Sequence, residues 1–203
     1  MKLRGTNDWY GNPSPWNPEM ALAIEGERLS FHFRADKAPF YDRSFGPLDF
    51  VEGLWEQDVA EIFLAGPNGR YQEINLSPTG AWWSAVFSEY RVRESEVEFP
   101  VEIEAERRED RWEVQFSTAL KNLEVWNAVP RSQYRASATA ILYAPDPVFF
   151  AWNHNTGGEP DFHRRGGFYA PRRRHLLRAA SLQRAGRQRV VRPHGRRDTE
   201  VAN

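Results

Sequence analysis

The chain has no cysteine, which excludes disulfides, thiolate nucleophiles and cysteine-held zinc and leaves the redox compartment open. Methionine is confined to Met1 and Met20, and three lysines stand against twenty-four arginines. No stretch approaches the roughly 20 apolar residues of a membrane span. The first ten residues, MKLRGTNDWY, carry no apolar segment of the secretory type. As written the chain reads as cytoplasmic; with a longer N-terminus it would be secreted or periplasmic. There is no nucleophile elbow, phosphate-cradling loop or HExxH motif.

What is abundant is aromatic: eight Trp, thirteen Phe and seven Tyr in 203 residues. With Leu, Met and Lys sparse, this balance favours strands over a helical bundle, and one domain is the default at this length. The net charge of −1 hides an asymmetry, because residues 172–203 hold ten Arg against Asp198 and Glu200. The body before them is acidic, near −9. An acidic body argues against nucleic-acid binding by the folded part, since phosphates call for a basic face.

Turn residues punctuate the chain at short intervals. Met20 to Phe33 reads as a hairpin turning at Glu25-Gly26-Glu27, and Lys37 to Gly53 as a packed loop rich in aromatics. Gly66-Pro67-Asn68-Gly69 separates the strand-like Asp58–Leu64 from Tyr71–Leu76. In the latter, Tyr71, Glu73 and Asn75 share one face and Gln72, Ile74 and Leu76 the other. Trp82–Phe87 continues the pattern. Val101, Ile103 and Ala105 then alternate with glutamates and turn through Arg108–Arg111 into Trp112, Val114 and Phe116, all six apolar positions facing a core. Ala138–Tyr143 and Val148–Trp152 are the last strands, before the loop Asn153–Phe162, and one helix is expected near 117–124. The sum is an all-β fold, a β-sandwich or jelly roll of about nine short strands, followed by a disordered basic tail over 169–203.

Trp55 to Phe63 (WEQDVAEIF) places a Trp before a strand and acidic groups at its start. A pyranose needs both types: its axial C–H face packs on an aromatic ring, and its vicinal hydroxyls need a fixed multi-acceptor. Taken alone, Trp55 is better explained as a core anchor, because Trp is highly buried on average. Asp58 and Glu61, three apart on a strand, point to opposite faces and do not pair as the two carboxylates of a glycosidase would. His154, Glu159, Asp161 and His163 offer metal-ligating atoms, but their spacing matches no compact zinc pattern, and a hydrogen-bonded loop accounts for them as well.

The WEQD segment followed by Glu-Ile-Phe resembles the characteristic segment of the family 9 carbohydrate-binding modules. YQEINLSPTG and WEVQFS are similar to that family's later strands, and EPDFH to the closing motif of its DOMON-like relatives. The resemblance spans roughly residues 20–168 and implies a single DOMON-like sandwich over 1–168 that binds a saccharide without catalysis. It further implies that Trp55 and Phe162 stack on a sugar ring and that Glu61 accepts hydrogen bonds from hydroxyls, with Glu73 and Asn75 extending the polar face. Phe162 stands where the family usually has Trp, and Glu73 where an Arg is common. The resemblance brings structural calcium as a possible cofactor, with no ligand assignable, and two alternatives: a carbohydrate-active hydrolase or lyase, and a haem-binding DOMON-type domain. The haem alternative lacks an axial Met, since Met1 and Met20 both lie near the N-terminus. From about Arg164 the family-like text gives way to Arg-, Ala-, Gly-, Pro- and His-rich sequence, as out-of-frame reading of GC-rich DNA would produce.

Overall fold

The computed structural model describes residues 2–4, 7–152 and 158–171. His154 and the Arg-rich segment from residue 172 onward, with the expectations placed on them, lie outside these. The described residues form eleven strands in two antiparallel sheets and no α-helix. One sheet has five strands in the order β1 (Lys2–Arg4), β2 (Glu19–Glu25), β3 (Arg28–Ala35), β9 (Trp112–Ala119) and β8 (Glu102–Arg107), and the other six in the order β11 (Pro147–Ala151), β10 (Arg135–Tyr143), β4 (Val59–Ala65), β5 (Tyr71–Leu76), β6 (Trp82–Glu89) and β7 (Val92–Glu96).

The expected hairpins are present. β2 (Glu19–Glu25) turns through Gly26, at φ 56°, into β3 (Arg28–Ala35); glycine adopts that left-handed conformation without steric cost. β4 (Val59–Ala65) and β5 (Tyr71–Leu76) flank the Gly66–Gly69 turn, where Gly69 sits at φ 81°. β6 (Trp82–Glu89), β8 (Glu102–Arg107), β9 (Trp112–Ala119), β10 (Arg135–Tyr143) and β11 (Pro147–Ala151) match the remaining expectations within a few residues. Trp112, Val114 and Phe116 are buried as expected and Val101 and Ile103 half-buried, but Ala105 is exposed.

Three differences have physical causes. The helix expected near 117–124 is absent: β9 runs through Ala119, held by β3 on one side and β8 on the other, and a single 3-10 turn, Leu120–Asn122, ends it. Tertiary pairing overrides the weak helical preference there. β1 (Lys2–Arg4) and β7 (Val92–Glu96) went unforeseen; β7 is an edge strand of sequence VRESE with no apolar alternation to reveal it. In the Lys37–Gly53 loop, Phe45 and Phe50 pack inward while Phe40 stays 54% exposed.

The core lies between the sheets, where Leu22, Phe31 and Phe33 from one meet Ile62, Ile74 and Val86 from the other. The six-stranded sheet is buried on both faces at its centre, where every residue of β4 and β5 is buried. Its outer face carries a second apolar cluster, including Phe63, Tyr71, Trp83 and Phe87, over which the 45–55 and 162–168 segments fold. Phe168 is buried there, and Tyr169 exchanges two backbone hydrogen bonds with Ala136 of β10. A covered outer face is what creates room for a cavity.

One buried ion pair ties the loop to the sheet. The Asp58 carboxylate, fully buried, accepts from Lys37 Nζ at 2.9 and 3.2 Å and from the backbone N–H groups of Phe40 and Tyr143 at 3.0 and 2.8 Å. Burial pushes its pKa up, and the Lys37, Tyr143 and Phe40 hydrogen bonds pull against that.

Candidate functional site

Alternation along the strands decides which groups meet on the outer face. Glu61 projects from β4 and Tyr71, Glu73 and Asn75 from β5, with Glu61 directly opposite Asn75 and Glu73 opposite Phe63. The result is a cavity of about 500 Å³ lined by Trp55, Glu61, Glu73 and Phe162, together with Phe63, Trp83, Phe87 and Phe149 and a rim of Glu52, Arg91, Arg93 and His163. Four of the five residues expected from sequence thus line one space. The fifth, Asn75, lies fully buried beneath it, and its Nδ2 donates to Glu73 Oε1 at 3.0 Å.

Trp55 is half-buried in the 3-10 turn Leu54–Glu56, edge-on to Trp83 with centroids 5.5 Å apart. Its carbonyl accepts the Tyr143 hydroxyl at 2.9 Å, which fixes the turn against β10. Phe162 makes edge contacts with Trp9, Phe149 and Phe63, at 5.7, 6.0 and 6.4 Å. The two residues are aromatic walls of the same cavity, on independently anchored loops.

At the floor stand two carboxyls with little access to solvent: Glu61 is 3% exposed and Glu73 5%. Thr139 Oγ1 donates to Glu61 Oε2 at 2.8 Å. Burial pushes both pKa values up, with the charge of Glu73 adding to the rise at Glu61, while Asn75, Arg93 and Arg91 pull Glu73 partly back. Asp58, grouped with Glu61 in the sequence, is committed to Lys37 and takes no part.

The rim is organised by groups that sequence reasoning did not place in a site. Tyr71 Oη accepts the Arg91 backbone N–H at 3.0 Å and lies 2.7 Å from His163 Nδ1. The other ring nitrogen of His163, Nε2, lies 3.9 Å from Glu73 Oε2. That separation is too long for a hydrogen bond. Burial, with the Arg91 charge, lowers the His163 pKa to about 4, so the ring is neutral at pH 7. Asp161 accepts from Tyr90 Oη, Arg91 Nη2 and Arg164 Nε at 2.7, 3.2 and 3.0 Å and so clamps the closing loop onto the β6–β7 hairpin. Burial raises the Asp161 pKa, but these three bonds outweigh it and the net shift is downward. Of the residues considered for a metal, Asp161 and His163 are engaged in loop structure, and no three His, Asp or Glu side chains among the described residues converge as a metal group. Alternation already placed Tyr71 on the face of Glu73, without assigning it to the site; Arg91 and Arg93 reach the rim only through the unforeseen β7 hairpin.

The raised floor carboxyls make a prediction about stability. A carboxyl whose folded pKa lies above its unfolded value stabilises the fold below the ordinary carboxylate range and loses that contribution as pH rises through the folded value. Here the loss extends through about 7 for Glu73 and about 8 for Glu61. The melting temperature should fall across that window, and the double variant Glu61→Gln/Glu73→Gln should show a flatter profile. Parallel profiles for the two proteins would refute the assignment.

Fold and site together define a two-sheet β-sandwich with a ligand-sized acidic and aromatic cavity on the outer face of one sheet. Among solved structures it resembles a proposed carbohydrate-binding protein from Bacteroides uniformis ATCC 8492, with a TM-score of 0.65 and 14% identity over 83% of this chain and 84% of that one. It also resembles a family 9 carbohydrate-binding module from Caldicellulosiruptor kristjanssonii in complex with glucose, with a TM-score of 0.51 and 11% identity over 76% of each chain. No protein-family model and no curated protein matches the sequence. The fold is that of the family 9 modules, as the WEQD and YQEINL segments suggested. Among the described residues no helix is long and apolar enough to cross a membrane.

Proposed function

We propose that the chain is a non-catalytic carbohydrate-binding module whose cavity takes one or two sugar rings. The observation that carries this reading is the juxtaposition of aromatic walls, Trp55 and Phe162, with the buried carboxyls Glu61 and Glu73 at the floor of one 500 Å³ space. Pockets of this size, mostly apolar with a few fixed polar groups, suit small ligands, and a sugar matches both components. Asn75 holds Glu73 in place from below. The neighbouring fold of a module solved with glucose supports the same reading. We place the binding domain at residues 1–168, with Tyr169 still paired to Ala136 of β10 just beyond that boundary.

The test is a glycan array followed by calorimetry. Trp55→Ala should weaken binding of any hit by about 1–3 kcal/mol through loss of a stacked face. Its melting temperature should stay near the wild-type value, because Trp55 is only half-buried. Unfolding of the variant, with no sugar bound by the wild type, would make Trp55 a core residue instead. Mass spectrometry of the bound glycan should show it unconsumed; cleavage would transfer Glu61 and Glu73 to a hydrolase reading, since glycosidases work with paired carboxyls.

A further inference from the structure

The charges around the cavity are unevenly compensated. At the rim, Arg91 pairs with Asp161 at 3.2 Å, and Arg93 pairs with Glu52 at 2.6 Å and Glu96 at 3.0 Å. Both arginine side chains are about half exposed, at 54% and 43%. The rim's positive charge is thus already matched by its own acidic partners, Asp161, Glu52 and Glu96.

The floor is different. Glu61 and Glu73 are almost wholly buried, side by side on adjacent strands, and neither is within hydrogen-bond reach of a cationic side chain among the described residues. Glu61 Oε1 has no hydrogen-bond partner among those residues, and Glu61 lines the cavity. The titratable groups that face the pair are His163, neutral, the Tyr71 hydroxyl, and Arg91 and Arg93 at the rim with their own acidic partners. Two acidic groups without a base are costly to bury and are normally matched by a partner charge. The walls are aromatic, lined by Trp55, Phe63, Phe149 and Phe162 among others, and Arg93 already lies over the Trp83 ring 5.6 Å from its centroid, so the lining is of a kind that accepts a cation.

Resting on the saccharide reading above, we propose that the ligand is an amino sugar, with its ammonium group seated between Glu61 and Glu73 and its ring held against the aromatic walls. The ammonium supplies the charge that the floor lacks, and its three N–H groups match the open carboxyl oxygens. A neutral hexose fills the same volume but leaves the acidic pair uncompensated. An N-acetylated sugar has no cation and a bulkier substituent. The missing counter-charge shows in the raised carboxyls: burial favours the protonated form of both, an ammonium seated beside them favours the ionised form, and binding therefore releases protons to the solvent.

The experiment is calorimetry of the full chain with glucosamine, glucose, N-acetylglucosamine and the β-1,4-linked glucosamine trimer, at pH about 6.5 in two buffers of different ionisation enthalpy. The expected result is that the amine-bearing sugars bind at least about tenfold more tightly than glucose, as a desolvated cation beside carboxyls and aromatic faces requires. Proton release should accompany the amines and not glucose. Glu61→Gln and Glu73→Gln should each reduce the preference without lowering the melting temperature. Equal affinity for glucose and glucosamine, or amine binding without proton release, overturns the proposal while leaving the saccharide reading in place. Failure of every sugar to bind overturns both.

Discussion

Replacing Asp58 by Asn is expected to destabilise the protein by about 3–5 kcal/mol, the cost of leaving one partner of a buried ion pair uncompensated. Lys37, 8% exposed, would keep its ammonium group facing an amide, and the Phe40 and Tyr143 N–H groups would share a single remaining acceptor oxygen. Urea unfolding measures this directly. The variant Lys37→Met/Asp58→Asn should recover part of the loss, because removing the ammonium removes the uncompensated charge. A loss below about 1 kcal/mol for the single variant would mean that water reaches the pair and screens it as at a surface.

Trp126→Ala is expected to cost a similar amount, about 3–5 kcal/mol, with an unfolding midpoint lowered to match. Trp126 is 1% exposed, stacks on Tyr134 at 4.3 Å with the rings parallel to 2°, and donates from Nε1 to the Ala65 carbonyl at 3.0 Å. It plugs the end of the sandwich where β4 leaves the sheet. Trp126→Phe retains an aromatic face but loses the donor, so it should fall between wild type and Ala, by about 1–3 kcal/mol. If Phe and Ala cost the same, the hydrogen bond rather than packing holds that end together.

The sandwich was legible wherever alternation and turn chemistry agreed. Glu25-Gly26-Glu27 and Gly66–Gly69 stand between runs of period two, and hairpin turns are found at both. The helix near 117–124 misled because Ser117, Thr118 and Ala119 carry no strong preference, and pairing on both sides of β9 settles their conformation. β7 was invisible because an edge strand with both faces wet shows no apolar pattern. At the site, the shared face of Glu73 and Asn75 could be read from their spacing, and the placing of Trp55 with Phe162 came from family resemblance, since no local rule joins residues so far apart in sequence. Both floor carboxyls were expected at the site, but their burial was not legible, for a related reason. Glu61 and Glu73 meet diagonally across a strand pair whose register depends on the intervening turn, and nothing in either segment alone indicates that both are buried.

The strand order sets a timetable for synthesis. In the five-stranded sheet β3 waits for β9, and in the six-stranded sheet β4 waits for β10, so each sheet is joined across its middle by a segment about half the chain away. Non-local pairing of this kind slows folding, because a long loop must close before any contact rewards it. On the ribosome, the inner face of β4, with Ile62 and Leu64, stays unpaired on one edge until Tyr143 has emerged. The nascent hairpin β4–β5 is therefore the stretch most in need of a chaperone, and a translational pause placed before β10 should lower the yield of native protein more than the same pause placed after it.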